Sequence, residues 1–156
     1  MKPLPSAFPL PLRLERTGPG LAVLRAPFAF LSPTLGRIVV PEGFDTDYAS
    51  VPRIFWSFYP PDGSYTPAAV IHDALYFYQA RSAATPSPIT RAQADAVFLE
   101  AMAALGVPLL RRRLLYRAVR VGGWLAWRRN RRWHEAEAAR RFDEAATAGL
   151  IPDQID

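Results

Sequence analysis

With 156 residues, half of them hydrophobic, the chain has material for one ordinary core and none for a second full domain. It contains no cysteine, which excludes disulfides, thiolate metal sites and cysteine nucleophiles, so any metal must be held by oxygen or imidazole. The net charge of +5 is local: nine arginines and no acidic residue lie between Arg111 and Arg132, so the basic character belongs to one element.

The first eleven residues carry prolines at positions 3, 5, 9 and 11, which break any continuous apolar helix and predict an extended arm rather than an export signal. No later stretch reaches the roughly 20 uninterrupted apolar residues that span a bilayer. These features predict a protein kept in the cytoplasm or carried into an assembly.

From Leu12 to Val40, short apolar runs alternate with turn formers, which predicts a small antiparallel β-meander. Pro41-Glu42-Gly43 ends it and opens a loop from Phe44 to Pro52. The aromatic segment 53–59 predicts one or two helical turns, and Pro60-Pro61-Asp62-Gly63 a turn. A helix follows to about Gln79, with Ser64 or Thr66 as N-cap and Pro67 in its first turn. Thr90 to Gln93 has the pattern of a capping box, opening a second helix that Gly106 and Pro108 close. A third helical region begins near Leu109 and runs to about Ala148, broken or bent at Gly122-Gly123. The expected fold is α+β: a small N-terminal antiparallel β-meander packed on three main α-helices, one domain over 12–148 with a tail at 149–156.

The candidate chemistry sits in the first two helices. His72 and Tyr76 are four residues apart and share a helical face, with Asp73 rotated by about 100°. Asp95 falls on the apolar stripe Phe98, Leu99 and Met102 of the second helix, where a carboxylate is costly unless paired. A short connection makes the two helices antiparallel neighbours, which places Asp95 within reach of His72 and Tyr76. An aspartate that holds one imidazole nitrogen leaves the other free as a base. Asp73, with Asp45 or Asp47 and backbone carbonyls, offers the hard oxygens that calcium prefers. The same residues admit plainer roles: His72 and Asp95 as a buried rigidifying pair, Asp45 and Asp47 as turn and capping residues. Nothing around Ser50 has the form of a strained nucleophile turn, so a serine-hydrolase triad is not expected.

Two resemblances follow from these residues. His72-Asp73-x-x-Tyr76 with Asp95 twenty-three residues after the histidine resembles the phospholipase A2 superfamily over Ala68 to Met102. It implies that His72 activates water, Asp73 binds calcium, and Asp95 and Tyr76 form the supporting hydrogen-bond network. A second set, Val40 to Pro52, Ala69 to Asp73, Arg91 with Ala94-Asp95, and Ala118-Val119-Arg120, resembles an uncharacterised family encoded by tailed phages and prophages. It implies a viral setting, with virion or tail proteins as partners, without naming a reaction.

In the arginine region, Leu110, Leu114, Ala118, Val121 and Leu125 fall at helical spacing and predict a buried stripe, with Trp124, Trp127 and Trp133 on or beside it. Arg111, Arg112, Arg113, Arg117, Arg120 and Arg128, with Trp124 and Trp127, form a candidate binding surface. Its partners are an anionic membrane surface, an acidic neighbour in an assembly or, with no base-reading motif present, nucleic acid. His134 beside Glu135 reads as a solvated residue. Three function classes are left open: a calcium-dependent ester hydrolase, a non-catalytic virion or tail-assembly component and, third in order, a nucleic-acid-binding accessory protein whose binding falls steeply with salt.

Overall fold

A computed structural model describes residues 5–18, 21–46, 65–80 and 88–134. Within them the chain forms five strands, β1 (Leu14–Gly18), β2 (Leu21–Leu24), β3 (Phe28–Ser32), β4 (Gly36–Val40) and β5 (Asp45–Thr46). The helices α1 (Thr66–Tyr78), α2 (Arg91–Ala104) and α3 (Leu109–Gly122) follow, and residues 124–134 form a fourth helical segment, α4. The fold is α+β.

The expected meander is present but divided. β1, β2 and β5 form one antiparallel sheet in the order β1-β2-β5, and β3 and β4 form a separate hairpin. β5 lies where the sequence predicted only loop: Thr46 pairs with Ala22 and Asp45 with Val23. Its two residues are too few to register as a period-2 pattern. Hydrogen bonds from Leu24 N to Phe44 O and from Gly43 N to Leu24 O extend the pairing back through the turn. In the hairpin, Phe28 and Phe30 oppose Val40 and Ile38, and these four side chains are core. The proline-rich arm is pinned to this core: Leu31 N donates to Ala7 O at 2.8 Å, and Phe8 packs on Phe28 and Phe30.

Helix α1 is the centre of the molecule. Every residue from Pro67 to Tyr76 is buried, as expected for a helix enclosed on all sides. It packs against α2 along its length and also meets β4 and β5, while α2 packs on α3 and β3. Its N-cap is Tyr65, not Ser64 or Thr66, and among the described residues no side chain caps it; Thr66 and Pro67 occupy the first turn. Its last carbonyls find partners on α4: Asn130 Nδ2 donates to Tyr76 O at 3.1 Å and His134 Nε2 bonds to Phe77 O. His134, expected as a solvated residue, is half-buried and also caps the end of α1.

The capping box of α2 forms as predicted, Thr90 accepting from Gln93 N while Gln93 accepts from Thr90 N. Gly106, at φ +73°, supplies the left-handed turn after α2. Near Gly123 the helical bonding continues, from Gly123 N to Val119 O and from Trp127 N to Gly123 O. A Cβ at Gly123 would collide with the Tyr76 hydroxyl and stand 3.0 Å from the ring, so glycine lets α3 and α4 approach α1. Among the described residues no helix is long and apolar enough to cross a membrane.

The predicted buried stripe of α3 is displaced by one position. Leu115 and Val119 are buried, while Leu110, Leu114, Val121 and Leu125 are exposed. Both sets recur at helical spacing, so periodicity alone does not choose between them. The contact of Gly123 with Tyr76 and the bond of Arg120 to Asp95 fix the rotation that is observed. Residues 47–64 and 135–156, which hold Asp47, Ser50, the aromatic segment and the expected end of the third helical region, lie outside the described residues.

A buried imidazole–carboxylate centre between α1 and α2

Asp95 lies on the buried face of α2 beside Ala94, Val97, Phe98, Ala101 and Met102, and it is wholly buried there. An ionised carboxylate in that position has about four lone-pair sites to satisfy. All are engaged. Oδ1 accepts from Tyr76 Oη at 2.6 Å and from His72 Nε2 at 3.0 Å. Oδ2 accepts from Arg120 Nη1 at 2.7 Å and lies 3.5 Å from Arg91 Nη1. Arg91 is held in turn by Arg120 O at 2.9 Å. Three helices thus meet on one carboxylate.

Burial pushes Asp95 up, but the hydrogen bonds from His72 and Tyr76, the charge on the imidazole side and the Arg120 bond outweigh it. The carboxyl titrates below the ordinary aspartate value. Burial, and then the Asp95 carboxylate, push the Tyr76 phenol well above its ordinary value, so it stays a donor. Arg120 is raised by its bond to Asp95.

Because the carboxylate only accepts, the hydrogen between it and His72 belongs to Nε2. The remaining ring nitrogen, Nδ1, is buried and has no hydrogen-bond partner among the described residues. The ring is clamped by Tyr76 and Phe98, whose ring centroids lie 4.2 and 4.8 Å away. Orientation by an acidic partner, a fixed tautomer and a bare second nitrogen make an imidazole able to take a proton at Nδ1.

Asp73, adjacent in sequence, leaves this cluster and faces β5, where Thr46 Oγ1 donates to its Oδ2 at 2.6 Å. Neighbouring strand residues project to opposite faces, and Asp45 is exposed while Thr46 is buried, so Asp45 is not brought to Asp73. Asp47 lies outside the described residues. Among those described, no group of three histidine or acidic side chains converges as a metal set. The described donor set for an ion is therefore Asp73 with the Thr46 hydroxyl, and calcium takes 6–8 oxygens.

The candidate surface residues divide. Arg113, Arg117, Trp124 and Arg128 are exposed, and Arg128 stands over the Trp124 ring at 5.6 Å. Arg111 and Arg112 are half-buried. Arg120 is turned inward onto Asp95, and Trp127 packs edge-on against Tyr76 at 5.1 Å. Sequence reasoning kept Arg91 only as a motif residue and placed Arg120 on the surface. The available signal was the cost of an aspartate on an apolar stripe, which requires cationic neighbours; Arg91 stands at the helical i−4 position to supply one.

An α+β protein built round a buried histidine–aspartate–tyrosine cluster, locked by two arginines, is the class that fold and site define. The chain belongs to the DUF1353 family, described as a protein of unknown function, which it matches over residues 22–119. That span holds His72, Asp73, Tyr76, Arg91 and Asp95 and stops one residue before Arg120. The chain is also similar to the uncharacterized protein y4jT of Sinorhizobium fredii (strain NBRC 101917 / NGR234), at 35% identity over 102 residues. The match covers 64% of this chain and 28% of that protein, so the chain spans little more than a quarter of its relative. No solved structure matches.

Proposed function

We propose that the protein is a hydrolase acting on an ester, with His72 as general base. The observation that carries this reading is an imidazole whose Nε2 is fixed by Asp95 and whose Nδ1 has no partner among the described residues. In the reaction, Nδ1 takes a proton from water as its oxygen attacks the ester carbonyl, and the proton passes to the departing alcohol as the acyl–oxygen bond breaks. Asp95 holds the tautomer and stabilises the imidazolium, and Tyr76 and the two arginines keep Asp95 ionised. The phospholipase A2 resemblance of the His72-Asp73-x-x-Tyr76 pattern supports the same roles and suggests a phospholipid ester.

Calcium is the proposed ion, with Asp73 as the carboxylate that holds it. It would polarise the ester carbonyl. Thr46 already orients one oxygen of Asp73. The rest of the set would come from Asp47 and from carbonyls outside the described residues. Calorimetric titration of calcium into the wild type and Asp73→Asn tests this point. Saturable binding that Asp73→Asn abolishes supports it, and no heat of binding in the wild type removes the ion from the proposal.

One observation favours a second reading. The side chains of His72 and Asp95 are both 0% exposed, as in a pair that only ties α1 to α2. The protein is then a non-catalytic component of a phage virion or tail assembly, a setting suggested by the phage-family pattern. Its Arg/Trp helix would bind a neighbouring subunit, a membrane surface or DNA. Co-purification with phage particles irrespective of changes at His72 is the outcome this reading expects.

A further inference from the structure

Helix α3 and its continuation α4 carry two apolar faces, and the chain uses one. Leu115, Val119 and Gly123 form the buried face. On the other side Leu110, Leu114, Val121 and Leu125 are 84%, 43%, 78% and 62% exposed, with Trp124 beside them at 44%. Their spacing of 4, 7 and 4 residues keeps them on one line, about 22 Å long at 1.5 Å per residue. Water contact is costly for such groups, and burial of each Leu or Val is favourable. At 100° per residue, Arg113 and Arg117 border one edge of this line and Arg129 the other, while Arg128 and Arg132 continue it beyond Leu125; all five are exposed. No acidic residue lies anywhere in the segment from Arg111 to Arg132.

We infer that this second face is a docking surface for an anionic lipid bilayer. The helix lies in the plane of the interface, with Leu110, Leu114, Val121, Leu125 and the Trp124 ring in the headgroup–acyl boundary and the flanking arginines on lipid phosphates. Charge and apolarity select this occupant together. Duplex nucleic acid satisfies the arginines but leaves the leucines and Val121 in water. A second copy of the chain would cover the apolar line only by bringing two acid-free arginine sets against each other. An anionic bilayer satisfies both.

The inference deepens the phospholipid reading proposed above by naming where the substrate phase is met, but it stands on α3 and α4 and requires no catalysis. The test is flotation of the full chain with vesicles of phosphatidylcholine alone or mixed with phosphatidylglycerol, at low and high salt. The expected result is binding to the mixed vesicles only, weakened by salt. The variant Leu110→Ser/Val121→Ser/Leu125→Ser, whose changed positions are exposed and whose folding is checked by circular dichroism, should weaken binding roughly tenfold or more. No binding to phosphatidylglycerol vesicles overturns the inference. So does a folded triple variant that binds vesicles as the wild type does, a stable dimer that this variant dissociates, or binding confined to duplex DNA. Vesicle binding without hydrolysis would sink the esterase reading alone. Hydrolysis of soluble esters without vesicle binding would sink this one alone.

Discussion

His72 Nε2 lies 3.0 Å from Asp95 Oδ1, and neither side chain reaches solvent. The contact ties α1 to α2, and it fixes which imidazole nitrogen carries the hydrogen. Asp95 is the hub, because Tyr76 from α1, Arg91 from α2 and Arg120 from α3 converge on the same carboxylate. Its removal leaves buried or half-buried donors without an acceptor. Asp95→Ala should lower stability by about 3–5 kcal/mol, the range for breaking one side of a buried pair. Urea unfolding checks the value, and a loss under about 1 kcal/mol would mean that the network contributes little.

The sign of the pH dependence follows from the lowered Asp95. An acid whose folded value is depressed stabilises the fold above its unfolded value, about 4, and loses that contribution as pH falls through the folded value. Stability should therefore decline as pH drops below about 4, with part of the slope absent in Asp95→Asn. Tyr76 acts at the other end. Its raised value preserves the neutral donor, so its contribution is present below the ordinary phenol value, about 10, and is lost as pH rises further. Melting temperatures across the pH range, compared among wild type, Asp95→Asn and Tyr76→Phe, measure both slopes.

Tyr76→Phe keeps the ring packing on His72 and Trp127 and deletes one hydrogen bond to a charged, buried acceptor. The expected cost is about 1.5–3 kcal/mol. Chemical unfolding is again the readout, and an unchanged midpoint would show that Asp95 does not depend on the phenol.

Gly123→Ala sets two effects against each other. Alanine gains up to about 1 kcal/mol in a helix over glycine. Here its methyl group would run into the Tyr76 hydroxyl, and overpacking of this kind costs about 1–3 kcal/mol. The Val119 carbonyl would also stand 2.6 Å from the methyl group, so net destabilisation is expected, and in Gly123→Ala/Tyr76→Phe, where only the phenol oxygen is removed, the loss should be smaller than the sum of the two single losses.

Much of this was legible in the sequence because it rests on local rules. The capping box at Thr90 and the glycine turn at Gly106 depend on residues within a turn of each other, and both form as the sequence predicts. The pairing of His72, Tyr76 and Asp95 could be read from helical spacing plus the cost of a lone buried carboxylate. What could not be read depended on tertiary choice. β5 is too short to carry a period, and the rotation of α3 had two apolar solutions in one sequence. That rotation decides whether Arg120 meets solvent or Asp95, and it is set by Gly123 at the end of α3 and Tyr76 on α1, far apart in the chain. The capping of α1 by Asn130 and His134 was hidden for the same reason.

The most direct measurement of the central claim is ester hydrolysis by wild type and His72→Gln, assayed with calcium on phosphatidylglycerol vesicles and on a soluble ester. Glutamine places an amide nitrogen close to the position of Nε2, so it can still donate to Asp95, but it has no counterpart of the Nδ1 lone pair. If His72 is the base, the wild type hydrolyses at least one of the two esters and His72→Gln loses activity by about 100-fold or more while keeping its melting temperature within a few degrees. Hydrolysis that survives in His72→Gln, or a wild type inactive on both substrates, would contradict the account and leave the His72–Asp95 pair as a structural tie.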